Sequence, residues 1–157
     1  MAMTTPRISR ILVPTDGSEP ARRAVDFSAS VADSREVAEV FALYVAYVPR
    51  PLPAGPTTLY QMSLDSLLPE EKEEAQMIVD LAAARIRALV SNPEIVVTPM
   101  VVVHDSPARA ILEFAEQNDI DIIVMGSRGL GEIAGIFLGS VSHRVIHGAK
   151  CPVLIVK

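Results

Sequence analysis

The chain has 157 residues, half of them hydrophobic and 21% charged, which fits one domain with one core and is too apolar for a disordered chain. With four Phe, three Tyr and no Trp, the core must be aliphatic, and a base-stacking nucleic-acid platform has no material to be built from. A net charge of −5 argues further against binding a phosphate backbone.

The first apolar run, Ile11-Leu12-Val13 with Ile8 leading in, is short and β-branched and stops at Pro14-Thr15-Asp16-Gly17-Ser18, so it predicts a buried strand followed by a loop. Ser18 is placed to cap a helix with Pro20 in its first turn. Ala21, Ala24, Val25, Ser28 and Ala32 then follow helical spacing with small side chains that can sit close to a sheet. Val37 to Val48 is almost wholly apolar, the pattern of a strand covered on both faces. Pro49, Pro51, Pro53 and Pro56 open a long Pro-rich loop that runs to Pro69; a loop of that length is expected to be either functional or mobile. Pro69-Glu70-Glu71 begins a second helix, with acidic residues at its positive end and Ala75, Ile78, Val79, Ala82, Ile86 and Leu89 as its inner stripe. A third strand is expected over Ile95 to Val103, and a third helix after Ser106 as cap and Pro107 as first residue. Ile122 to Met125 is a fourth strand, Ser140 to Ala149 a fourth helix, and Pro152 to Val156 a fifth strand.

Strands alternating with helices, and apolar without alternation, imply an α/β fold: a single doubly wound domain over residues 1–157, with a five-stranded parallel sheet and helices on both faces. The single cysteine, Cys151, leaves no internal disulfide and fits a reducing compartment. The polar start MAMTTPRISR is unlike a secretion signal. No apolar run approaches the roughly 18 residues of a membrane span, so a cytoplasmic protein without membrane or nucleic-acid partners is expected.

Ligands of an open doubly wound sheet bind beyond the carboxyl ends of the strands, where the winding reverses. If strands one and four are neighbours, the loop Pro14 to Ser18 meets the glycine-rich stretch holding Gly126, Gly129 and Gly139. Gly139-Ser140 stands at a helix start, where free amides and the helix dipole favour an anion, and Asp16 can accept hydrogen bonds from ribose hydroxyls. Together these describe a nucleotide site. Each piece also has a plainer meaning: turn glycines after a strand, a carboxylate capping the first helix, a simple N-cap.

Enzyme motifs are missing. There is no G-x-x-x-x-G-K-[ST], no H-E-x-x-H, no C-x-x-C and no G-x-S-x-G. Gly129 to Ala134 fits a relaxed G-x-G-x-x-A, but it follows the fourth strand and lacks a ribose-binding acid about 20 residues on. His143 and His147 are four apart with no third metal ligand in view, which reads as a solvated helix face. Cys151 reads as a small buried hydrophobe, and Glu70 to Glu74 as a solvated first turn.

From Ile8 to Lys157 the chain resembles the universal stress protein family. The resemblance is carried by G-x2-G-x9-G-[ST], met by Gly126, Gly129, Gly139 and Ser140, and by the flanks Ile11 to Ser18 and Cys151 to Val156. It implies a sheet of order 3-2-1-4-5 and a homodimer in which Val153 to Val156 pair antiparallel with a partner. It implies that Pro14, Thr15 and Asp16 lie against adenine and ribose and that the backbone of Val45 contacts adenine. Met125, Gly126, Ser127, Arg128 and Gly129 would surround ribose and phosphates, and Gly139, Ser140 and Val141 would bind the phosphates. The implied ligand is ATP, AMP or ADP, with Mg2+ or Mn2+ carried by the phosphates rather than by the chain. One departure stands out: the spacer Leu130 to Leu138 has no basic residue and includes Glu132, so phosphate charge falls to Arg128, backbone amides and the divalent ion. A nucleotide-dependent stress-response switch with slow ATP hydrolysis at most is the expected function. The alternatives are an enzyme of nucleotide metabolism, a sensor of AMP or a cyclic nucleotide, and an interaction domain that binds no nucleotide.

Overall fold

A computed structural model describes residues 7–34, 37–49, 63–129 and 138–157. The elements are β1 (Arg10–Pro14), α1 (Glu19–Asp33), β2 (Glu39–Tyr47), α2 (Pro69–Leu89), β3 (Val96–His104), α3 (Pro107–Gln117), β4 (Ile122–Gly126), α4 (Ser140–Gly148) and β5 (Val153–Val156). They fall within a residue or two of the spans expected from the apolar runs. The segment expected to be irregular up to Pro69 contains one turn of 3-10 helix at Leu64–Ser66; Pro51, Pro53 and Pro56 lie outside the described residues.

The sheet is parallel throughout, in the order β3-β2-β1-β4-β5. Side-chain alternation along each strand sorts the core into two halves. Ile11, Val13, Val40, Ala42 and Val124 face α1 and α2, where Ala24, Val25, Ala82, Ala83 and Ile86 meet them. Leu12, Phe41, Leu43, Ile123 and Met125 face α3 and α4, against Ile111, Phe114 and Val145. Phe41 and Phe114 pack edge to face at 5.4 Å between ring centres, a favourable quadrupole arrangement.

Local chemistry explains where the helices begin. The Ser18 hydroxyl accepts from the Ala21 amide at 3.4 Å, and the Ser106 hydroxyl from Arg109 at 3.4 Å. Each helix carries a proline in its first turn, Pro20 and Pro107, whose missing N–H would have had no helical partner. At α2 the Leu68 amide donates to the Glu71 carboxylate at 2.8 Å. Asp119, with φ 49°, turns the chain out of α3 in the left-handed conformation that Asp tolerates. Pro99 sits in β3, an edge strand paired only with β2 among the described strands, where its missing N–H breaks no inner ladder.

The neighbouring of β1 and β4 matters most for function. Ile11 pairs with Ile122 and Leu12 with Ile123, and one oxygen of the Asp121 carboxylate accepts from the amides of Ser9 at 2.7 Å and Arg10 at 2.8 Å. The connections from β1 therefore leave on one side and those from β4 on the other, opening a crevice above the carboxyl ends of both strands.

Candidate nucleotide site

Two loops build the crevice. After β1, the Thr15 amide donates to Leu43 O at 2.8 Å and extends the ladder with β2 by one bond. The chain then turns sharply: the Gly17 amide donates to the Thr15 hydroxyl at 3.3 Å and the Ser18 amide to one oxygen of Asp16 at 3.0 Å. Gly17 has φ 78°, which L side chains rarely adopt. This turn aims the other Asp16 oxygen across the crevice at Gly129, so close that a Cβ at 129 would collide with it.

After β4, Ser127 acts as the anchor. Its amide donates to Val156 O at 2.9 Å, and its carbonyl accepts from the Gly139 amide at 2.8 Å and from the Ser142 hydroxyl at 2.8 Å. Gly139 is thereby held as the cap of α4, with extended backbone and no side chain over the helix end. A Cβ on Gly139 would stand 3.3 Å from the Arg128 Cα. The amides of the first turn of α4 have no carbonyl within the helix to receive them, and the helix dipole makes that end electropositive. Glycine at 126 has a different cause: a Cβ there would lie 2.7 Å from the carbonyl carbon of Pro20, inside the backbone of α1.

The crevice encloses about 440 Å3, within the range of small-ligand sites. Pro14, Thr15, Asp16, Val45, Met125, Gly126, Arg128, Gly129, Gly139, Ser140 and Val141 all line it. Ser127 does not, because its backbone is engaged with Val156, Gly139 and Ser142 and the residue is buried beneath the loop; it positions the cradle without facing it. The spacer residues 130–137, Glu132 among them, lie outside the described residues, and Leu138 lines the cleft.

Ala21, Leu43, Tyr44, Pro107, Ile111 and Ser142 also line the cleft, and sequence motifs had not marked them. Alternation along β2 carries part of that signal: Leu43 and Val45 share the α3 side of the sheet, while Tyr44 points the other way. Burial pushes the Tyr44 phenol above its usual range, and the carboxylates of Glu74, Asp16 and Glu71 add to the shift. Negative charge on the first turns of α2 is thus felt at Tyr44.

Other groups lie elsewhere. His143 and His147 stack at 4.4 Å on the exposed side of α4, with His147 Nδ1 bonded to His143 O at 2.9 Å. His104, at the end of β3, stands 3.0 Å from Asp105 and 3.5 Å from Glu113. Among the described residues no three His, Cys, Asp or Glu side chains gather where a metal could be held. Cys151, expected to be buried, is only half-buried because the last strand lies at the sheet edge; partial burial raises its thiol pKa, so it stays protonated at neutral pH. No helix among the described residues is long and apolar enough to cross a membrane.

Known proteins agree with this architecture. A family model described as the universal stress protein family matches residues 7–157. A universal stress protein of Methanocaldococcus jannaschii is 36% identical over 148 residues, 94% of this chain and 81% of that protein. Among solved structures, UspA of Lactobacillus plantarum superposes with a TM-score of 0.75 at 25% identity, covering 98% of this chain and all of that one. A universal stress protein in complex with cAMP gives 0.69 at 26% identity, with 96% and 98% covered. One from Archaeoglobus fulgidus in complex with dAMP gives 0.66 at 25% identity, also with 96% and 98% covered.

Proposed function

The chain belongs to the universal stress protein family, and on that premise we propose that it is an adenine-nucleotide-binding regulatory protein of the stress response, working in the cytoplasm as a homodimer. The observation that carries this reading is the convergence of Asp16, Gly129 and the α4 N-terminus on one crevice.

Each part of a nucleotide has a counterpart there. Val45, Ile111 and Met125 offer an apolar wall to adenine. Asp16, whose second oxygen faces the crevice, is the acceptor for ribose hydroxyls. Arg128, the Gly129 backbone and the amides of Ser140 and Val141 take the phosphates, glycine allowing close approach. Related universal stress proteins form complexes with cAMP and with dAMP, in support of the same ligand class here. ATP would bring Mg2+ or Mn2+ on its phosphates, and the cation would supply charge neutralisation that the chain does not.

Hydrolysis, if it occurs, is slow. Among the described residues lining the cleft there is no His or Cys, and Asp16, the one carboxylate, already accepts the Ser18 amide. Nothing there is arranged to take a proton from an attacking water. Bound state, rather than turnover, is then the output. The open edge of β5, half-buried along Val153–Val156 and paired only with β4 among the described strands, is the surface through which two copies would pair.

The test is mass spectrometry of small molecules released from freshly purified protein, followed by calorimetric titration. An adenine nucleotide near one per chain is expected, with affinity falling at least about tenfold, ~1.4 kcal/mol, in Asp16→Ala and Gly139→Ala. Variants that bind as tightly as the parent would overturn the site; phosphate release over many turnovers, lost in Asp16→Ala, would replace the switch with an enzyme.

A further inference from the structure

Charged side chains are few among the described residues that line the crevice. Among the described residues that line it, Arg128 is the one cation and Asp16 the one carboxylate. The Asp16 oxygen that faces the crevice lies directly against Gly129, at the mouth of the glycine cradle. The spacer between Gly129 and Gly139 contributes no Lys or Arg in its sequence. The first turns of α2 carry the acidic run Glu70, Glu71, Glu73 and Glu74. Burial raises the phenol pKa of Tyr44, a lining residue, and the charges of Glu74, Asp16 and Glu71 add to that rise. Backbone amides and one helix end can solvate a phosphate, but they carry no net charge with which to offset several negative ones.

We propose that the cleft selects its nucleotide by charge: adenosine monophosphate or its cyclic form binds unaided, whereas a triphosphate binds only with a divalent cation on its phosphates. This rests on the nucleotide reading above and adds the ligand's charge class to it. A phosphate monoester carries about −1.5 to −2 at neutral pH, and a triphosphate carries roughly twice that. The excess would meet Arg128 as the one cation among the described lining residues, with the Asp16 carboxylate at the cradle's mouth, and chelation removes it before binding.

Calorimetric titrations with AMP, cAMP and ATP, each in EDTA and in excess Mg2+ at low salt, test the proposal. In EDTA, AMP and cAMP should bind about tenfold or more tighter than ATP, the scale of one uncompensated charge contact at partly solvated separation. Excess Mg2+ should restore ATP by a similar factor and move AMP by less than about twofold. Raising the salt should shrink the gap in EDTA, since screening acts on the unneutralised charge. Leu138→Lys, which adds a cation to the lining, should raise ATP affinity in EDTA several-fold and AMP affinity less; Glu74→Gln, on an exposed position, should move the ratio the same way by a smaller amount. ATP binding as tightly as AMP in EDTA would overturn the charge rule and leave the nucleotide site standing. ATP that stays weak in excess Mg2+ would assign its exclusion to size and overturn the rule as well. Failure of every nucleotide in every buffer would overturn the nucleotide reading itself, and the charge rule with it.

Discussion

The carboxylate of Asp16, in the turn after β1, lies against the α-carbon of Gly129, in the loop after β4, with no room for a side chain between them. Two residues more than a hundred positions apart thus form the two lips of the crevice. Their contact exists only because β1 and β4 are neighbours in the sheet. It also explains why glycine stands at 129: the missing Cβ leaves space for the group proposed to hold the ribose.

Replacing Gly129 with Ala should therefore act on binding more than on folding. The obstructing atom is the end of a rotatable side chain, so Asp16 can swing aside and leave the fold intact. Affinity for AMP is expected to fall about tenfold, ~1.4 kcal/mol. The melting temperature should move by no more than about 2–4 °C. Calorimetry and a thermal melt on the same preparation check both.

Gly126→Ala should do the reverse. Its new methyl would press on the backbone of Pro20 and Ala21, at 2.7 and 2.9 Å, and a helix backbone cannot rotate out of the way. Overpacking of this kind costs about 1–3 kcal/mol, visible as a lower midpoint in urea unfolding. An unchanged midpoint would mean that α1 is not seated against β4 as described.

Acid should weaken the joint between α1 and α2. Arg85 holds Asp26 through two bonds, at 2.7 and 3.0 Å, and that hydrogen bonding lowers the Asp26 carboxyl below its ordinary value of 3.8, with burial opposing it. A carboxylate depressed in the folded state adds stability above its unfolded value, and that stability is lost as pH falls through the lower, folded one. The window is thus below about pH 3.8. The pair is half-exposed, so the effect is small and screened by salt. Asp26→Asn should flatten this part of the stability profile, measured as unfolding midpoints against pH at low salt, and leave the neutral range nearly unchanged.

Much of the fold is legible in the sequence because its signals are short-ranged. Ser18 with Pro20, Ser106 with Pro107, and the runs at Ile11 and Ile122 each announce a boundary or a strand within a few residues. The glycine pattern at Gly126, Gly129, Gly139 and Ser140 marks the cradle for the same reason: backbone approach to an anion demands glycine at particular places along one loop. The separate causes of those glycines were not legible. Gly126 answers to the backbone of α1 and Gly129 to a carboxylate on another loop, and neither partner is near in sequence. Ser127 belongs to the motif by position, yet its amide and carbonyl are directed at Val156, Gly139 and Ser142.

The alternation of strands and helices, the helix starts and the glycine cradle are written locally in the chain, all governed by hydrogen bonding, capping and side-chain period over a few residues. No local pattern says which strands become neighbours at the crevice; packing does, and with it come the apolar wall of Ile111 and Val45 and the place of Tyr44 among the charges of Glu74, Asp16 and Glu71. Those groups come from separate elements, and only packing the helices on both faces of the sheet brings their side chains to one cleft. The charge a ligand meets there is a sum over residues that no local pattern connects.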